Sequence, residues 1–204
     1  KFIDTNLKAT TYNFNLAAIS YFYGLCFEKE FNKKLLPKAK LAKKLPTILD
    51  KKTFINLVNN ENNIEHKCWL LLGFCCGLRA SEVSRIKIED IDVNNHKLKI
   101  IGKGNKERYT ILPDICITIL REYCKKNRIT YKNGYLFPGN NGEIHLCSRT
   151  ISNYFTNYVK ELGLQNKISF HTLRHSFSTY YLMNGGDQFV LKDIYTHDNI
   201  VESI

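Results

Sequence analysis

A chain of 204 residues with 44% hydrophobic side chains is long enough for one full domain and part of another, and too apolar to be disordered overall. Thirty basic against 19 acidic residues leave a net charge of +11, an excess that favours a polyanionic partner, of which nucleic acid is the commonest. No apolar run approaches the ~18 residues of a membrane span and no signal peptide opens the chain, so a cytoplasmic protein without membrane contact is expected. The seven cysteines form no C-x-x-C pair and several stand in apolar helical contexts; they read as buried thiols of a reducing compartment, neither bridges nor metal ligands.

Apolar side chains at Phe14, Leu16, Ile19, Phe22, Tyr23 and Cys26 recur at helical spacing. One or two helices bury too little to stand alone, so residues 1–33 are expected to be the last helices of a preceding domain. Residues 34–46 contain Pro37, end at Pro46, are rich in lysine and hold no acid; they read as an extended basic linker. Residues 1–46 carry nine lysines against Asp4, Glu28 and Glu30, more than half of the excess charge. Lys38, Lys40, Lys43 and Lys44 are therefore candidate contacts to a phosphate backbone, although a solvated tether has the same composition.

Residues 47–204 read as a second, larger domain. Asp50 is placed to cap a helix through Phe54, Leu57 and Val58, and Ile64 to Cys76 is a strongly apolar helix for the core, ended by Gly77. Ser81, with Glu82 and Ser84, opens a short helix to about Ile86, which leaves Arg79 on the elbow between two helices. Lys97–Ile101 alternates, 102–106 turns and Arg108–Leu112 returns, a β-hairpin with Lys103, Lys106 and Arg108 at or beside its tip, suited to phosphate or groove contact. Further helices are expected over 114–126, from a Ser148 cap to Gly163, from His171 to Met183, and from an Asp187 cap through Ile194. The fold class is mainly α with a small β-hairpin or sheet (α+β).

His171 and Arg174 stand three residues apart, so on a helix they stack one turn apart on one face. A planar five-donor cation beside a proton-transfer group suits a phosphodiester, which presents anionic oxygens and needs its protons moved. Alone, the pair is more often a capped helix with a surface arginine. It gains weight from three further motifs in order: Gly77-Leu78-Arg79-x-Ser81-Glu82, Gly102-Lys103-Gly104-x-Lys106-x-Arg108, and, after His171-x-Leu173-Arg174-His175, Tyr195-Thr196-His197.

This succession resembles the tyrosine recombinase (phage-type integrase) family, including Xer and conjugative-transposon integrases, over roughly residues 45–198. The resemblance implies an integrase-type catalytic domain that cleaves and rejoins DNA at specific sites through a 3′-phosphotyrosine, with no cofactor and no metal. It implies double-stranded recombination sites as partner, a homotetramer on synapsed DNA, and a bacterial, phage or mobile-element origin. Arg79 and Arg174 then match the two catalytic arginines, Lys103 the hairpin lysine with Lys106 as runner-up, His171 the first histidine of the second box, Glu82 a supporting acid, and Tyr195 the nucleophile. In that scheme the arginines hold the non-bridging oxygens of the scissile phosphate from two sides, Lys103 protonates the leaving oxygen, and the phenol, with an unperturbed pKa of ~10, needs help to attack. Two other readings share parts of the pattern: a type IB topoisomerase, and a catalytically degenerate DNA-binding module.

One departure stands out. The family has a Leu-Gly-His-like element after the helix that here ends near Ile194, some nine residues before its tyrosine, whereas here Ile194 is followed directly by Tyr195. No residue fills the second His/Trp role, and a break of the chain between Ile194 and Tyr195, with Cα atoms well beyond ~3.8 Å, is expected.

Overall fold

The computed structural model describes residues 8–27, 36–40, 47–102, 106–139, 145–164 and 168–195. The chain divides into two compact units, Lys1–Leu45 and Pro46–Ile204.

In the first unit, α1 (Ala9–Phe27) buries only Leu16. Residues 36–40 belong to the stretch expected to be an extended basic linker, and they are tied to α1. The Asn13 side chain donates to the Ala39 carbonyl at 3.0 Å and accepts the Ala39 N–H at 2.8 Å, while the Tyr12 hydroxyl donates to the Pro37 carbonyl at 3.3 Å.

The second unit is built on α3 (Ile64–Cys75), whose Cys68, Trp69, Leu70, Leu71 and Leu72 are all buried. Full burial of each leucine contributes about 1.5–3 kcal/mol. Around α3 stand α2 (Lys51–Asn60), α5 (Asp114–Lys126) and α7 (Phe170–Met183). Gly73 permits the close approach of α7: a Cβ there would meet Phe170 Cζ at 2.9 Å. At the end of α3, Gly77 takes φ +67 and turns the chain into α4 (Ala80–Val83); a side chain there would be strained and would strike the Phe177 ring at 2.5 Å.

A 3-10 turn over Ile88–Asp90 leads into an antiparallel sheet in the order β1 (Ile91–Asp92), β2 (Lys97–Ile101), β3 (Glu107–Ile111), with Leu98 opposite Thr110 and Ile100 opposite Arg108. β1 has two residues, too few to show an alternation, and was not foreseen. On β3 the usual pattern is inverted: Tyr109 and Ile111 are exposed, while Thr110 is buried and donates to the Cys76 carbonyl at 2.8 Å.

Caps set most helix starts. The Asp50 and Asp187 carboxylates accept the N–H groups of Thr53 and Phe189, as the sequence predicts. Other starts shift by one or two residues: Cys147 is the cap of α6 (Ser148–Glu161), Ser169 that of α7, and Arg79, not Ser81, that of α4. The last helix, α8 (Gln188–Tyr195), runs through Ile194 and Tyr195 without interruption, so the expected break is absent. It packs on α7 through a second small core of Phe177, Leu191, Ile194 and Tyr195.

Candidate active site

Three segments deliver arginines to one carboxylate. Arg79 follows the Gly77 turn, Arg108 points inward from β3, and Arg174 sits in the first half of α7. Glu82, on the single turn of α4, accepts the Arg79 backbone N–H at 2.9 Å and Arg79 Nη1 at 2.8 Å. Its other contacts are Arg108 Nη2 at 3.0 Å and Arg174 Nη1 at 3.3 Å. Arg174 Nη1 also donates to the Gly77 carbonyl at 2.5 Å. Glu82 therefore both caps its helix and fixes the mutual position of three guanidiniums.

Burial works against the charged form of Glu82, but the Arg108 hydrogen bond and the charges of Arg108 and Arg174 outweigh it, and the carboxyl titrates below its ordinary range. Arg174 is pulled down, first by burial and then by repulsion from Arg79 and Arg108, against support from Tyr195 and Glu82. A guanidinium remains a cation at neutral pH even so.

Beside this cluster lies a cavity of about 360 Å³, lined by Arg79, Ala80 and Ser81, by Ser148, Ser152 and Thr156 of α6, and by Ser169, Phe170 and His171 at the start of α7. Arg79, partly exposed, and His171, exposed, thus share one concave surface rich in hydroxyl groups. Ser148, Ser152 and Thr156 repeat every fourth residue along a flank of α6 beside its buried Ile151 and Phe155. That polar stripe was legible in the sequence but was not singled out. The ring of His175 meets that of His171 edge-on at 4.4 Å.

Of the residues singled out from the sequence, Arg79, Glu82 and Arg174 are brought together, and His171 faces the cavity that Arg79 lines. Arg174 is not exposed to that cavity: its side chain has 0% exposure and is held against Glu82. Lys103, Lys43 and Lys44 lie outside the described residues. Lys38 and Lys40 are exposed on the first unit, and Lys106 is exposed where the hairpin re-enters β3.

Arg108 is a correction. Read as a DNA contact, it instead turns inward with a side chain only 8% exposed, pairing with Glu82 and donating from Nε to the Ile194 carbonyl at 2.6 Å. Tyr195 is another. Its hydroxyl donates to the Arg174 backbone carbonyl at 2.7 Å and accepts from Ser178, and its ring covers Arg174 with the guanidinium carbon 3.8 Å from the ring centre. Burial pushes the phenol above its usual range, with Arg174 and Ser178 opposing. As placed, the Tyr195 oxygen is buried and engaged by two partners within the fold, so it is not presented to the cavity.

Residues 47–203 match the phage integrase family. A tyrosine recombinase of Thermosipho africanus (strain TCF52B) is 27% identical over 203 residues, covering 95% of this chain and 69% of that protein. Tyrosine recombinase XerD of Proteus mirabilis is 28% identical over 212 residues, covering 97% and 67%. The chain thus spans about two thirds of the length of these relatives. Among solved structures, XerH site-specific recombinase bound to its difH substrate superposes with a TM-score of 0.77 at 21% identity, covering 99% of this chain and 62% of that one. The Tn1549 transposon integrase bound to transposon right end DNA gives 0.73 at 17%, covering 97% and 74%; these two show the shared fold. With the match extending over the whole second unit but its first and last residues, the chain belongs to the phage integrase family, the tyrosine recombinases that cleave and rejoin DNA at specific sites.

Proposed function

We propose that this chain performs its family's strand cleavage at the cavity between α4, α6 and the start of α7. The observation that carries the reading is the convergence of Arg79, Arg108 and Arg174 on Glu82 beside the surface that Arg79 and His171 share. A backbone phosphate there meets the Arg79 guanidinium and the hydroxyls of Ser148, Ser152 and Ser169, and His171 stands at the rim to hydrogen-bond an oxygen or take a proton. As a phenol attacks and the phosphorus becomes five-coordinate, charge builds on the equatorial oxygens; Arg79 answers it directly and Arg174 through the field of the cluster. Lys103, from its motif, protonates the leaving 5′ oxygen. The bond energy stays in the 3′-phosphotyrosine ester until a second 5′-hydroxyl attacks.

The uninterrupted α8 changes the reading of Tyr195-Thr196-His197. Tyr195 ends this helix where the family carries its Leu-Gly-His-like element, so we read Tyr195 in the leucine's role in the core and, from the motif alone, His197 in that of the second histidine. No tyrosine among the described residues lines the cavity. Double-stranded recombination sites as substrate, a tetramer on synapsed DNA and work in the cytoplasm follow from family membership; the likeness to a transposon integrase supports a mobile-element role. Among the described residues no helix is long and apolar enough to cross a membrane.

The test is a nicked suicide duplex bearing a site selected by binding from a random pool. The full-length protein is expected to form a covalent adduct that survives denaturation, with the linked tyrosine identified by mass spectrometry. Tight binding without any adduct would contradict the catalytic reading.

A further inference from the structure

We propose that Tyr195 is the positioning residue for Arg174, holding that arginine at both ends: its ring lies on the guanidinium and its hydroxyl bonds to the arginine's own carbonyl. This rests on the reading of Arg174 as part of the catalytic cluster. The two contacts measure 3.8 Å from ring centre to guanidinium carbon and 2.7 Å from hydroxyl to carbonyl oxygen. Ser178, one turn beyond Arg174 on α7, donates to the same hydroxyl, so both the proton and a lone pair of the phenol are engaged within the fold.

The helix that presents Tyr195 is itself tied to the cluster. Arg108 donates from Nε to the Ile194 carbonyl and from Nη2 to Glu82, and Glu82 accepts from Arg174. The contacts close a ring running Arg174, Glu82, Arg108, Ile194, Tyr195 and back to Arg174. An arginine has a long flexible stem, and its position in a buried site is set by what holds the plane of its head. An aromatic face does this for a planar cation, and an aliphatic side chain of similar volume fills the same core without orienting it. Orientation matters because a displacement of ~1 Å at a catalytic group can cost about 100-fold in rate.

The experiment compares Tyr195→Phe, Tyr195→Leu and Tyr195→Met in the full-length protein. For each, the melting temperature, the affinity for the suicide duplex, the single-turnover cleavage rate and the NMR resonance of the Arg174 Nε–H group are measured. The ring current of a stacked aromatic shifts that resonance upfield, a signature that simple packing does not produce. Phe keeps the ring and is expected to keep the upfield resonance and cleave within about 5-fold of wild type. Leu and Met are expected to lose the shift and slow cleavage by about 10-fold or more, with affinity unchanged. Met is included because its adaptable chain preserves the core if Leu does not fold.

Wild-type rates and an unshifted Arg174 resonance in the folded aliphatic variant would overturn the proposal. So would loss of the adduct in Tyr195→Phe together with a wild-type adduct mapped to Tyr195, since the phenol would then be the nucleophile. If wild type itself makes no adduct, the catalytic reading fails, while the resonance comparison still decides whether Tyr195 orients Arg174.

Discussion

Glu82→Ala is expected to lower stability by about 3–5 kcal/mol, the typical cost of removing one partner from a buried ion cluster and leaving the opposite charges behind. Arg79, Arg108 and Arg174 all converge on this carboxylate, so the loss is felt at α4, β3 and α7 together. Because Arg108 also holds the Ile194 carbonyl, α8 is expected to loosen as well. Thermal melting, with hydrogen exchange over α8, checks both.

The pH dependence has a definite sign. The folded pKa of Glu82 lies below its ordinary value, so its stabilising contribution is complete above the unfolded pKa of ~4.3 and is lost as pH falls through the lower folded value. Glu82→Gln lacks this component. Its melting temperature is expected to fall less than that of wild type between about pH 5 and about pH 2.

Arg174→Ala is expected to reduce single-turnover cleavage by about 100- to 1,000-fold while affinity for the duplex changes by less than about 3-fold. The separation follows from burial: a side chain with no exposed surface contributes little to the many phosphate contacts that set affinity. It does set the field and geometry of the cluster that Arg79 presents to the cavity. Stability should fall less than for Glu82→Ala, because the carboxylate keeps Arg79 and Arg108 as partners. Kinetics measured well below the variant's melting temperature separate the two effects.

Much of this molecule could be read from its residues. The apolar run through Trp69 and Leu72, the glycine stop at Gly77, and the caps at Asp50 and Asp187 are local features, and local physics sufficed to place them. The site was legible to the extent that its members sit in motifs: Arg79, Glu82, His171 and Arg174 were recognised before any geometry was known. Arg108 was misread because β3 reverses the usual alternation. Its apolar Tyr109 and Ile111 face outward and its polar Arg108 and Thr110 face inward, so a basic residue beside the hairpin tip is turned into the fold instead of toward a partner. The inward face is satisfied by three distant partners, Glu82 and the Ile194 and Cys76 carbonyls, which no local pattern announces.

Tyr195 is a related case. The family resemblance gave Tyr195 the nucleophile's place from its Tyr-Thr-His context, but that role depends on whether α8 has ended before it. The helix runs through Tyr195 and turns its ring onto Arg174, a contact set by tertiary packing between α7 and α8. The hydroxyl stripe of α6 is a different case: the spacing of Ser148, Ser152 and Thr156 was visible, but only the fold shows that this face borders Arg79 and His171.

The most direct test of whether the arginines serve one phosphorus is a double-mutant cycle on cleavage. Arg79→Lys, Arg174→Lys and the pair are assayed on the same suicide duplex; lysine keeps the charge but lacks the planar fork, so residual rates stay measurable. Residues that act as one unit are strongly non-additive, and the double variant is expected to cleave within about 10-fold of the slower single variant. Losses that multiply in full would show two independent sites of action and contradict a shared phosphate site.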